Sequence, residues 1–270
     1  MNGLSTHFGA RATCVVRAAG VVEVTAEGLS ALRQQPGPQD GLPVPASLLN
    51  HAEDQSVVAL AAVLRAIDEG RLHGQSFADW AVVASPRFAG RVGVAAAVER
   101  FHQLGPLSVS PLIIPFMSLH AVSSMISLAL HIQGPSVGVG GGNGEFGQAL
   151  MTGLALLHDD YLPGVWAVVS GWDPEMVPEP DAAAVPPPVC RAAALALVPD
   201  AAGAAGACLR LAPRTDVDAR GTTAPGLPDL VRFLAGMPAG QLGSWRFPIS
   251  GGFDLELTVT AATVPLARSA

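Results

Sequence analysis

An α/β protein built on a largely parallel sheet is what this sequence predicts, and three observations predict it. From residue 11 to 173, short apolar β-like runs alternate with segments whose apolar residues recur at helical spacing. Half of the 270 residues are apolar and 14% are charged, which is enough to bury a sizeable core. Yet no uninterrupted apolar run reaches the roughly 18 to 20 residues that a membrane span needs.

The elements follow in order. ATCVVRAAGVVEV (12–24) is an extended apolar run, EGLSALRQQ (27–35) a short helix, and QPGPQDGLPVP (35–45) a proline and glycine loop. In QSVVALAAVLRAIDEG (55–70) the residues Val57, Leu60, Val63, Leu64 and Ile67 lie on one helical face. DWAVVAS (79–85) is a short buried strand and GVAAAVERFHQLG (93–105) a helix stopped by glycine. PLIIPFMSLHAVSSMISLALHI (111–132) reads as a buried helix reached through an extended segment punctuated by Pro111 and Pro115. SVGVGG (136–141) is a strand, EFGQALMTGLALLHDD (145–160) a helix and GVWAVVSGWD (164–173) a strand.

The alternation stops at residues 174–189, where six of sixteen residues are proline, the composition of a linker or exposed loop. Beyond it come strand-like RAAALALVPD (191–200) and ACLRLAP (207–213), a helix in PDLVRFLAGM (228–237), and FDLELTVTA (253–261). In the last, Phe253, Leu255, Leu257 and Val259 alternate with polar residues, as in a strand with one wet face.

Composition narrows the function. The fifteen basic residues are all arginine, which removes the lysine of a Walker-type phosphate loop, Schiff-base chemistry and any lysine base. A net charge of −7 without a basic cluster argues against a nucleic-acid partner. Cys14, Cys190 and Cys208 are odd in number and have no C-x-x-C spacing, so they read as small core residues rather than disulfides or a metal site, and no metal is expected. The amino terminus lacks a basic region followed by an apolar one, so the expected address is cytoplasmic.

The stretch GNGEFG (142–147) is a literal G-x-G-x-x-G between a strand and a helix. As a dinucleotide cradle it would use Gly142, Gly144 and Gly147, with Asp173 in the place of a ribose-binding acid. Glu145 weighs against that, because a carboxylate in the first turn competes with a diphosphate for the helix N-terminus. No cofactor is expected.

A second reading comes from the whole segment. Gly105-Pro106, Ser110-Pro111, Pro115, Gly134-Pro135-Ser136 and Gly171 to Asp173 stand in an order and spacing that resemble the amino-terminal half of the β-ketoacyl synthases of the thiolase superfamily. The likeness covers most of residues 11–173, and 190–212 resembles the segment that opens the family's second half. It implies three parts: a ketosynthase-like half (1–173), a proline-rich linker (174–189) and an internally shortened second half (190–270). It also implies a thiolase-like, layered αβαβα fold.

In that comparison the acyl-accepting cysteine falls on Asn143, whose amide is no nucleophile and which reads most simply as a helix N-cap. Family members carry two histidines in the second half, whereas all seven histidines here lie before residue 159. The losses resemble those of a chain length factor, and the short second half resembles the partner subunits of aryl polyene and xanthomonadin-type pathways. The resemblance implies no catalytic residue of the chain's own. Its partners would be a catalytic ketosynthase subunit and, through the complex, an acyl carrier protein. An enzyme with other chemistry on the same scaffold is the alternative, though no G-x-S-x-G elbow is present.

By the same comparison Phe88, Ile113, Phe116 and Met117 are candidates for the wall that sets acyl chain length. Ile114, Val137 and Val139 are candidates for the subunit interface. Ordinary core or interface packing of these side chains is the competing expectation.

Overall fold

The computed structural model describes residues 13–37, 44–142, 146–158, 161–176, 186–200, 207–213, 226–236, 243–249 and 253–259. The strands are β1 (Thr13–Thr25), β2 (Ala81–Pro86), β3 (Ser136–Gly138), β4 (Val165–Asp173), β5 (Val189–Pro199), β6 (Ala207–Pro213), β7 (Gly243–Ile249) and β8 (Phe253–Val259). They form one eight-stranded sheet in the order β3-β2-β4-β5-β1-β6-β8-β7. The helices are α1 (Leu29–Gln34), α2 (Ala46–Asn50), α3 (Asp54–Glu69), α4 (Arg91–Leu104), α5 (Ile113–Met117), α6 (Ala121–Leu130), α7 (Phe146–His158) and α8 (Leu227–Ala235), with a 3-10 turn at Pro106–Ser108.

The sheet is mixed, not largely parallel. Among the described residues only β2 pairs in parallel, with β3 and β4, while β4–β5, β5–β1, β1–β6, β6–β8 and β8–β7 are antiparallel. Helical crossovers hold the parallel part, and β5 needs none because it turns straight back along β4. The strand β5, which the family resemblance assigns to the opening of the second half, lies in the middle of the sheet between β4 and β1.

The central strands are buried on both faces, which is why they read as continuous apolar runs. Val82, Ala84, Trp166, Val168, Ala192 and Ala194 face a core roofed by α3 and α6, where Phe77 meets Trp80 edge-on with ring centroids 5.1 Å apart. Ala81, Val83, Val165, Ala167, Leu195, Leu255 and Leu257 face the opposite core under α7 and α8. Helix, sheet and helix thus make three layers among the described residues.

Helix α3 starts where Glu53 caps it, its carboxylate accepting from the Gln55 N–H at 2.8 Å, and ends at Gly70. It is buried almost all round. It lies so close to the sheet that a Cβ on Gly20 would stand 2.3 Å from the Ala62 carbonyl oxygen.

Two expectations are corrected here. The lead-in to α6 is helical, not extended, because Pro115 is the third residue of α5, within the first turn, where its missing N–H has no partner to lose. Nor is this lead-in buried: no residue of α5 is. The third strand is also shorter than expected, ending at Gly138.

Cys14 and Cys190 are buried core residues and Cys208 is half-buried. Burial pushes all three thiols above their usual range, so none offers a thiolate.

Candidate functional site

In an open α/β sheet, ligands settle outside the carboxyl ends of the parallel strands. That is where this chain has a pocket of about 260 Å³, lined by residues from the start of α3, the β2–α4 turn, the end of α5 and the end of β4. Two of the residues singled out from sequence, Phe88 and Met117, come together there.

The β2–α4 turn is tightly held. Phe88 has φ +52°, a left-handed backbone that a bulky side chain rarely takes. Its N–H donates to the Gly141 carbonyl at 2.8 Å, which ties the turn to the glycine-rich segment two residues before Asn143. The Arg87 N–H donates to the Ser170 carbonyl at 2.7 Å, and its guanidinium to the Trp172 carbonyl. Gln55 closes the network: its Nε2 donates to the Arg87 carbonyl at 2.9 Å and its Oε1 accepts from the Ser170 hydroxyl at 3.2 Å. Gly90 then opens α4 at φ +68°, and a Cβ there would lie 2.4 Å from the Met117 carbonyl, so only glycine lets α5 approach.

Charge in the pocket is largely compensated. Arg91 pairs with Glu175 and lies over the Phe88 ring, 5.4 Å from its centroid. Asp54 pairs with Arg33 at 2.6 Å. Burial pushes the half-buried Glu53 carboxyl up to about 7, and the Asp54 carboxylate beside it adds to the rise. Backbone N–H groups of Gln55, Ser56 and Gly90 pull it the other way without cancelling it. Arg87 Nε is buried, with no hydrogen-bond partner among the described residues.

The other candidates stand elsewhere. Ile113 and Phe116 are half-buried on α5 outside the pocket, with the Phe116 ring 6.2 Å from that of His51. Ile114 is 73% exposed. Val137 lies on β3, whose outer edge pairs with no strand among the described residues, and Val139 follows it with its N–H donating to the Ala84 carbonyl at 2.8 Å. Asn143 and the rest of the central GNGEFG segment, residues 143–145, lie outside the described residues, as do most of the linker and Asp159-Asp160. Among the described residues no cluster of His, Cys, Asp and Glu is arranged to hold a metal, and no helix is long and apolar enough to cross a membrane.

Sequence reasoning missed Glu53, Arg87, Arg91 and Glu175. Signals for three of them were present: an acidic pair just ahead of a helical run marks an N-cap, and Arg87 and Arg91 flank a strand-to-helix turn, the kind of place where ligands bind in this class of fold.

A neighbouring surface is apolar and open. Only Ala97 of α4 is buried, while Val98, Phe101 and Leu104 are 50%, 48% and 71% exposed. Leu107 in the 3-10 turn is fully exposed, and Leu112 and Ile114 extend the ledge along α5. From α5 the packing continues through α6 to β3 at the open sheet edge.

No protein-family model and no curated sequence matches the chain. Solved structures do. A ketosynthase in complex with its chain length factor from Xenorhabdus doucetiae matches with a TM-score of 0.55 at 17% identity, over 91% of this chain and 99% of that one. This is the thiolase-like ketosynthase fold. The ishigamide ketosynthase/chain length factor matches with a TM-score of 0.53 at 16% identity, over 76% of this chain and 69% of that one. A type II polyketide synthase acyl-carrier protein in complex with its hexaketide-bound ketosynthase matches at 0.52 and 14% identity, over 70% of this chain. The match spans 63% of that chain's length.

Proposed function

We propose that the chain is a non-catalytic, chain-length-factor-like subunit. It pairs with a cysteine-bearing β-ketoacyl synthase and shapes the pocket in which that partner extends an acyl chain delivered by a carrier protein. The observation that carries this reading is the likeness to a chain of a ketosynthase–chain length factor complex along nearly the full length of both. Asn143 in the place of the acyl-accepting cysteine and the lack of any histidine after residue 158 are consistent with a subunit that does no condensation itself. The apolar ledge of α4 and α5 and the open edge of β3 suit a protein that keeps a partner, because such surfaces invite association. Within this reading Phe88 and Met117 form the wall that limits chain length, and aryl polyene-type pigment synthesis is the pathway class.

The test is co-expression with a cysteine-bearing ketosynthase encoded beside this chain. The two should elute as one complex. After incubation with a radiolabelled acyl carrier protein substrate, label should appear on the partner alone. Covalent label on this chain, or separate elution of the two, would overturn the proposal.

A further inference from the structure

Helix α4, the 3-10 turn and α5 form an arm between the end of β2 and the start of α6. Little apolar burial holds it. Of α4 only Ala97 is buried and of α5 nothing, and α4 packs mainly against α5 and the 3-10 turn. A segment with so few buried contacts belongs to the part of a fold that opens locally, ahead of global unfolding. Its attachment is concentrated at its base, where Gly90, Val92, Gly93 and Met117 of the arm line the pocket opposite Gln55 and Trp172. There the Glu53 carboxyl, half-buried at the start of α3, accepts from the N–H groups of Gln55, at 2.8 Å, and Ser56 on its own helix, and from that of Gly90, the residue that opens α4. One side chain thus ties the body of the sheet domain to the arm. Arg91 and Glu175 add an ion pair nearby, which is partly exposed and so contributes little.

No cation compensates that carboxyl. Asp54, next to it on α3, pairs with Arg33 of α1 at 2.6 Å. In the β2–α4 turn Arg87 donates to the Trp172 carbonyl, and on α4 Arg91 is engaged by Glu175. His51, at the end of α2, lies beside the Phe116 ring, and Cys190 on β5 stays a neutral thiol. Among the described residues none forms an ion pair with Glu53. While the base is closed, an ionised Glu53 is a charge kept from water beside a second carboxylate, stabilised by backbone N–H groups alone. Opening the base lets water reach it. Ionisation and opening therefore favour each other.

We propose that Glu53 is a pH-sensitive latch for this arm: protonated, it keeps the base of α4 seated against α3, and ionised, it lets the base lift from the pocket. The latch is a property of the chain itself and does not depend on the proposed function. Its direction follows from the closed state, which raises the carboxyl from 4.5 to about 7. Seating is complete below about pH 4.5 and is lost as pH rises through 7. From pH 6 to pH 8 the open population should grow about tenfold.

The experiment is residue-resolved amide hydrogen exchange of the full-length chain at pH 6 and pH 8, corrected for the intrinsic pH dependence of exchange. The Gly90 amide, held by Glu53, is compared with that of Val168 in the middle of β4. Gly90 should be the less protected at both values and should lose about tenfold in protection at pH 8. Glu53→Gln, which keeps the shape and removes the charge, should give Gly90 the same protection at both. Asp54→Asn, which removes the neighbouring charge, should shrink the change below tenfold, and it decides if Glu53→Gln does not fold. Protection of Gly90 that is equal at pH 6 and pH 8, a change that persists undiminished in these variants, or a Gly90 amide as protected as Val168 would overturn the inference.

Discussion

Phe88 carries both a strained backbone and a proposed role, and the two separate in a pair of substitutions. Phe88→Ala removes the ring but keeps a Cβ at φ +52°, whereas Phe88→Gly removes both. The ring is half-buried and faces a pocket, so losing it should cost about 1–3 kcal/mol, less than the ~3–5 kcal/mol of a fully buried phenylalanine. A left-handed conformation costs a non-glycine residue about 1–2 kcal/mol. Glycine relieves that and gives back about 0.5–1 kcal/mol through the freedom of its unfolded chain. Phe88→Gly should therefore be more stable than Phe88→Ala by about 0.5–1 kcal/mol, the reverse of the usual order. Urea midpoints of the two variants measure this. In the reconstituted complex both variants should shift products toward longer chains to the same extent, since both lack the ring. An alanine variant more stable than the glycine one would refute the backbone argument. An unchanged product distribution in both would refute the wall.

Three further outcomes are expected. Gly20→Ala should destabilise by more than the ~1–3 kcal/mol typical of overpacking, because its Cβ would meet backbone of α3 at 2.3 and 2.6 Å and the helix must move; thermal unfolding reports it. Glu53 has its folded pKa raised from 4.5 to about 7, so the folded state binds the proton more tightly than the unfolded one. Its contribution is most favourable below about pH 4.5 and is lost as pH rises toward 7. Glu53→Gln should flatten that slope in urea midpoints taken across this window. Leu104→Ser together with Leu107→Ser should leave the unfolding midpoint within about 0.5 kcal/mol of the unaltered chain, as expected for exposed sites, while weakening co-elution with the ketosynthase in size-exclusion chromatography.

The legible parts of the fold were those with a strong period or a full apolar run. Helix α3 shows in its spacing of Val57, Leu60, Val63, Leu64 and Ile67, and β4 in its unbroken apolar run from Val165 to Val169. The direction of β5 was not legible, because VCRAAALALVP is buried on both faces and reads alike whether its neighbours run parallel or antiparallel. Pro115 hid α5, since proline tolerated in a first turn looks the same in sequence as proline that breaks a helix. Val94, Val98 and Phe101 repeat like a core-facing stripe yet stand partly exposed, because periodicity identifies an apolar face without saying what covers it. At the site, Phe88 and Met117 were found through family likeness, while Glu53, Arg87, Arg91 and Glu175 converge only through the path of the chain.

The place of β5 also sets the order in which the molecule can assemble. Residues 14–25 of β1 pair with residues 189–199 of β5, and β5 in turn pairs with β4, so the middle of the sheet joins parts of the chain more than 160 positions apart. Closing so long a loop is entropically costly before the contacts that compensate it exist, and such topologies fold slowly. During synthesis on the ribosome, β1 and β4 are both made while the strand that separates them is still missing. A nascent chain halted in the proline-rich segment therefore holds two apolar strands with open edges, and the sheet is continuous only after residue 199 has emerged.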